Sequence, residues 1–173
     1  MSDTLVTIVA IGLAAVLMFV FPLMTMSDRT DDVSKLTVET ATTEFVDEIR
    51  TTGKITPDKY SKFLENIGST GNTYNVEMEV KVKDENPGKK TTQTAKDKIG
   101  ENVYYSVYTS QIKEKLEADQ SYKLKEGDIV SVNVKNTNQT LSQQLKNFFY
   151  SVVGKDTYTI AASHAGIVTA TGK

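Results

Sequence analysis

The 173-residue chain contains no cysteine, no tryptophan and a single histidine. Without cysteine there is no disulfide scaffold, no thiol chemistry, no Cys-based zinc site and no Cys-linked lipid anchor. One histidine excludes His-rich metal centres and leaves little for a Ser-His-Asp mechanism. An excess of charge is also missing: 20 Lys+Arg stand against 22 Asp+Glu, and a nucleic-acid binder normally carries a basic stripe. Proline is scarce, with three in the chain. Neither a G-x-x-x-x-G-K-[ST] nor a G-x-G-x-x-G phosphate loop occurs, and there is no H-E-x-x-H. These absences predict no enzyme, no catalytic residue, no metal, no cofactor, no nucleic-acid partner and no small-molecule substrate.

What is present begins with an uncharged run from Thr4 to Met26, TLVTIVAIGLAAVLMFVFPLMTM. A bilayer core of about 30 Å takes roughly 20 apolar helical residues, so the run is long enough to span it. A cleaved secretory signal would carry a basic leader and a small-residue cleavage site, whereas Met-Ser-Asp precedes this run and Phe21-Pro22-Leu23-Met24 closes it. A soluble core helix is rarely so long and apolar on every side. A retained transmembrane helix fits best.

Orientation has two readings. Arg29 and Lys35 follow the span and no Lys or Arg precedes it, which by the positive-inside rule puts the larger part in the cytoplasm. The face bearing Asp28, Asp31, Asp32, Glu39, Glu44, Asp47 and Glu48 is acidic, which an anionic cytoplasmic leaflet would repel; this favours an external domain.

No Gly or Pro interrupts residues 27–52. Val38, Ala41, Phe45 and Ile49 recur at helical steps, with Leu36 and Val46 near the same stripe, and Gly53 is a natural C-terminal cap. The apolar helix is therefore expected to continue outside the membrane, giving a rod of roughly 70 Å over residues 4–52, kinked or loosened at Pro22 because proline lacks an N–H. The chain divides into a transmembrane helix half (1–26), an amphipathic continuation (27–53) and a globular α+β head (54–173).

Within the head, Thr56-Pro57 starts a helix carrying Tyr60, Phe63, Leu64 and Ile67. Residues 74–83 alternate strictly, Tyr74, Val76, Met78, Val80 and Val82 against polar neighbours, as in a half-buried strand. Glu77 and Glu79 share the wet face with Lys81 and Lys83, a solvated charge pattern rather than an acid–base pair. Asp84 to Gly100 reads as a turn at Asn86-Pro87-Gly88 and a polar loop. Val103 to Leu116 fits helix or strand. Tyr122–Leu124 and Ile129–Val134 read as a hairpin around Glu126-Gly127-Asp128, with Val130, Val132 and Val134 inward. Asn138-Gln139-Thr140 matches a glycosylation sequon, but reads better as a turn and a cap for a helix carrying Leu141, Leu145, Phe148 and Phe149. Tyr158–Thr169 is a last strand, apolar at Ile160, Ala162, Ile167 and Val168, with Gly166 at a bulge and His164 packed or surface-exposed. The predicted class is α+β: a long N-terminal helix on a small antiparallel sheet with short helices.

That arrangement resembles type IV pilins and pseudopilins. Pro22 falls where mature pilins carry a helix-kinking proline, and YKLKEGDIVSVNV, TLSQQLKNFF and AASHAGIV together look like accessory pilin-like proteins of tight-adherence-type systems. Two features depart: Leu5 stands where pilins usually carry Glu, and no basic leader ending in Gly precedes the run. The resemblance implies a major or minor structural subunit of a surface filament, membrane-anchored or extracellular at the bacterial cell surface, partnered by copies of itself or other pilin-like subunits. Its assembly helix would use Leu5, Val9, Gly12, Val16, Phe19, Pro22 and Met26; small residues, here Gly12, Ala14 and Ala15, allow helices to approach closely in lipid. Tyr104, Tyr105 and Tyr108 are candidates for a further subunit contact, since tyrosine buries area while keeping a polar tip. The alternative is a single-pass anchored, monomeric extracellular binding domain.

Overall fold

The computed structural model describes residues 2–84, 104–150 and 160–173, with side chains over 3–84, 104–147 and 160–173. Helix α1 (Ser2–Ala15) runs through a π-helical segment (Val16–Val20) into α2 (Phe21–Thr52). Proline removes an N–H and its ring crowds the carbonyl four residues back, here that of Met18. The five-residue π turn sits at that point, so Pro22 loosens the helix locally, as expected. Hydroxyls along the rod bond back to the carbonyl four residues earlier, Thr25 to Phe21, Ser34 to Thr30 and Thr42 to Val38 among them. These otherwise weak helix formers thereby satisfy their polar groups without water.

The head is built on a four-stranded antiparallel sheet of β2 (Tyr74–Lys83), β3 (Tyr104–Tyr108), β5 (Ile129–Asn136) and β6 (Ala161–Ile167), in the order β3-β2-β5-β6. A second, two-stranded ladder pairs β1 (Lys54–Ile55) with β4 (Tyr122–Lys123). Helix α2 packs on β5 and β6, α3 (Pro57–Gly68) lies against α2, and α4 (Thr109–Glu117) covers β2 and β3. Val38, Phe45, Val46 and Ile49 of α2 meet Val76, Met78, Val80, Val130, Val132 and Val134 of the sheet in one core. Phe45 stacks on Phe63 of α3, with ring centroids 4.4 Å apart.

Several expectations are corrected. Tyr122–Leu124 does not form a hairpin with Ile129–Val134. Both edges of β5 are already occupied, by β2 and β6. Asp128 turns the preceding segment away, its carboxylate accepting from the backbone N–H groups of Lys125 and Lys83, and β4 pairs with β1 instead. Gly166 marks no bulge: the β5–β6 register runs unbroken through Val130 and Gly166. Its hydrogen instead leaves room for α2: a Cβ would lie 2.4 Å from Arg50 Nε, so any larger residue there would have to displace the Arg50 side chain. Leu36 is not near the buried stripe but 64% exposed, since it sits about 200° around the helix from Val38. Ile167 faces outward between inward-facing Gly166 and Val168, as the pleat dictates.

The ambiguous stretch resolves into both structures. Strand β3 passes directly into α4, where the Thr109 hydroxyl accepts from Met78 N–H and donates to Met78 C=O. Helix α5 (Leu141–Tyr150) is capped as expected: Thr140 Oγ1 accepts from Gln143 N–H and Gln143 Oε1 from Thr140 N–H. The turn at Asn86-Pro87-Gly88, Val103, Tyr158, and the side chains of Phe148 and Phe149 lie outside the described residues.

Candidate functional site

The apolar half of the rod is long and apolar enough to cross a membrane, and none of its most apolar 18-residue window is buried within the chain's own fold. The seven residues of the expected assembly helix are all exposed, Leu5 at 66% and Phe19 at 69% among them. Spaced three or four apart, they run along the rod as a seam. Gly12 opens a notch in it, with no atom within 4 Å of the position its Cβ would take.

The buried face of α2 is defined by Ser27, Asp31, Ser34, Val38, Ala41, Phe45 and Ile49. On the opposite face Val33 and Leu36 are each 64% exposed. The sequence carries a signal for this second stripe: Met26, Val33 and Leu36 follow one another at seven and three residues, a heptad step. Only the stripe that packs on the head was legible as an amphipathic period, because the acidic residues around Val33 mask the other.

A polar collar joins the head to α2 just beyond the apolar span. Asp28 and Asp31, expected on a solvated acidic face, are instead engaged by the first turns of α5. Thr140 donates its hydroxyl to Asp31 at 2.6 Å, Ser142 donates to Asp28, and Lys146 Nζ is 2.6 Å from Asp28 Oδ1. The hydrogen bond from Lys146, then that from Ser142, hold the Asp28 carboxyl below its ordinary range. Asp31 is buried, and so are Ser142 and Gln143. Two carboxylates at a helix N-terminus also meet the positive end of its dipole. Sequence reasoning missed this set because its halves lie more than a hundred residues apart; only the Thr140 cap was visible.

Farther along the rod, Arg50 donates to Asp47 at 2.7 Å and to the carbonyl of Ile167 at 3.0 Å. His164 Nε2 lies 3.7 Å from the same Asp47 oxygen. The three tyrosines are exposed on the edge strand β3. Alternation splits them: Tyr104 and Tyr108 share one face of the sheet and Tyr105 takes the other, beside buried Tyr122, whose hydroxyl is pushed up by burial. No group of three or more His, Asp or Glu side chains that would hold a metal ion occurs among the described residues.

The chain matches no family model, no curated protein and no solved structure.

Proposed function

We propose that this chain is a structural subunit, major or minor, of a type IV pilus-like surface filament. Its apolar N-terminal helix holds it in the membrane and then packs against the same helix of neighbouring subunits, copies of itself or other pilin-like chains, with the head outside the cell. The observation that carries this reading is the second stripe on α2. An anchored monomer needs an apolar helix only as far as lipid covers it. Leu36 stands about 15 Å beyond Met26 along the helix, past a headgroup layer of roughly 5–8 Å. Val33 and Leu36 nevertheless stay apolar and uncovered on the side away from the head. A neighbouring helix continuing the seam from Leu5 to Met26 would cover them.

The test is to shear intact cells and examine the released material by electron microscopy, with the protein identified by mass spectrometry. Enrichment in thin fibres supports the filament. Retention of the whole population in the membrane fraction overturns the bulk subunit and leaves a minor subunit or the anchored binding domain.

A further inference from the structure

The first turn of helix α5 inverts the usual arrangement of a water-facing helix. Ser142 and Gln143 are buried, whereas Leu141 is 52% exposed. Leu145, half-buried, follows four residues on along the same side of the helix, and the sequence continues the helix-spaced apolar series with Phe148 and Phe149. A helix whose surroundings were only water would bury the leucine and expose the amides. At its first turn a leucine faces out while Ser142 and Gln143 face in, the pattern of a segment whose outer neighbour is itself apolar; Gln144, also exposed, lies at its edge.

The collar fixes where that neighbour is. Asp28 and Asp31, which hold the start of α5, come two and five residues after Met26, the last residue of the apolar run. At about 1.5 Å per residue they stand roughly 3–8 Å beyond it, the depth of a headgroup layer. The two carboxylates nearest the lipid on the head side are therefore paired or hydrogen-bonded by α5 itself. Lys146 is occupied by Asp28 and is not a free cation for anionic headgroups.

We infer that α5 is an interfacial helix that rests on the outer headgroup–acyl boundary through Leu141 and Leu145, and that the collar is the strut holding it there. The occupant is a lipid surface bound through apolar contact, so zwitterionic lipid suffices. Such a helix would fix the head's height and tilt before assembly. The inference rests on the membrane reading of the apolar run and goes beyond it.

Because the chain has no cysteine, single cysteines report cleanly. The full chain would be placed in phosphatidylcholine vesicles containing lipid with a nitroxide at a shallow acyl position. A bimane label would be attached in turn at Leu141→Cys, at Gly12→Cys in the apolar run, and at Glu77→Cys on the exposed face of β2. The expected result is blue-shifted, strongly quenched emission at positions 141 and 12 and neither effect at 77. Quenching at 12 with position 141 behaving like 77 overturns the interfacial helix and leaves the anchor standing. No quenching at 12 overturns the membrane reading, and the interfacial helix with it.

Discussion

Gly53→Ala tests how the rod is joined to the head. Gly53 ends α2 in the left-handed region, at φ +66, with its N–H donated to Ile49 C=O at 2.8 Å. An alanine there costs about 1–2 kcal/mol for the backbone conformation alone. Its Cβ would also lie 2.2 Å from the carbonyl oxygen of Ala170 and 2.4 Å from the nitrogen of Gly172. Both are backbone atoms, and the segment cannot step aside freely. Gly53 C=O accepts from Leu124 N–H at 2.8 Å, Leu124 C=O from Gly172 N–H at 2.9 Å, and Arg50 C=O from Thr169 N–H at 2.9 Å. Overpacking of this kind adds about 1–3 kcal/mol, so the variant should lose about 3 kcal/mol in all. Gly71 supplies the control: its φ is +77, yet nothing lies within 4 Å of its Cβ position. Gly71→Ala should lose only the conformational part, about 1 kcal/mol. Urea unfolding of the detergent-solubilised protein, followed by circular dichroism, reads both as shifts in midpoint at constant slope. Equal losses at the two positions would refute the claim that the C-terminal segment is locked against the end of α2.

Phe45→Ala removes the stacked partner of Phe63 from a closed core and should cost about 3–5 kcal/mol, measured by the same unfolding. In the collar, Asp28 has a folded-state pKa below its unfolded value because Lys146 and Ser142 bond its charged form. Its contribution is therefore present at neutral pH and lost as pH falls through and below the ordinary aspartate range. The difference in Tm between the native chain and Asp28→Asn should be open at neutral pH and close in acid; a constant difference would contradict the assignment. Leu36→Glu and Val33→Glu alter only exposed side chains, so the unfolding free energy of the head should change by no more than about 0.5 kcal/mol. Sheared fibres should be lost from cells carrying either variant, and undiminished fibre yield would remove the second stripe from the assembly surface.

The sequence was most legible where a single period dominates. The alternation of β2, the Val38–Ile49 stripe and the Thr56-Pro57 helix start each depend on neighbours within a few residues, and each is found as read. Failures arose where competition between distant segments decides. β4 has the composition of a hairpin partner, but β5 has no edge left to give it, a fact that depends on β2 and β6. Gly166 looked like a bulge because a glycine in a strand interior is ordinarily a weakness. Its cause lies on α2, where the Arg50 side chain occupies the space a Cβ would fill. Acidic residues are similarly silent about their partners: Asp28 and Asp32 are equivalent in sequence, and only the return of α5 separates a bonded carboxylate from an exposed one.

The two stripes of α2 also separate folding from association. One side of the helix is spent within the chain, where Val38, Phe45, Val46 and Ile49 close the core over β5 and β6. Those residues cannot serve a second subunit without opening the head, which would forfeit about 2–5 kcal/mol per large side chain removed from the core. The other side, from Leu5 through Met26 to Leu36, is exposed among the described residues, so on the filament reading its burial follows folding and depends on concentration in the membrane. Folding of the head and association through the rod should then respond to different residues. Phe45→Ala should destabilise the isolated chain, whereas Leu36→Glu should leave the chain folded and act only on assembly. On the filament reading, a variant set in which the two properties failed to separate along these faces would put the contact between subunits on the head rather than the rod.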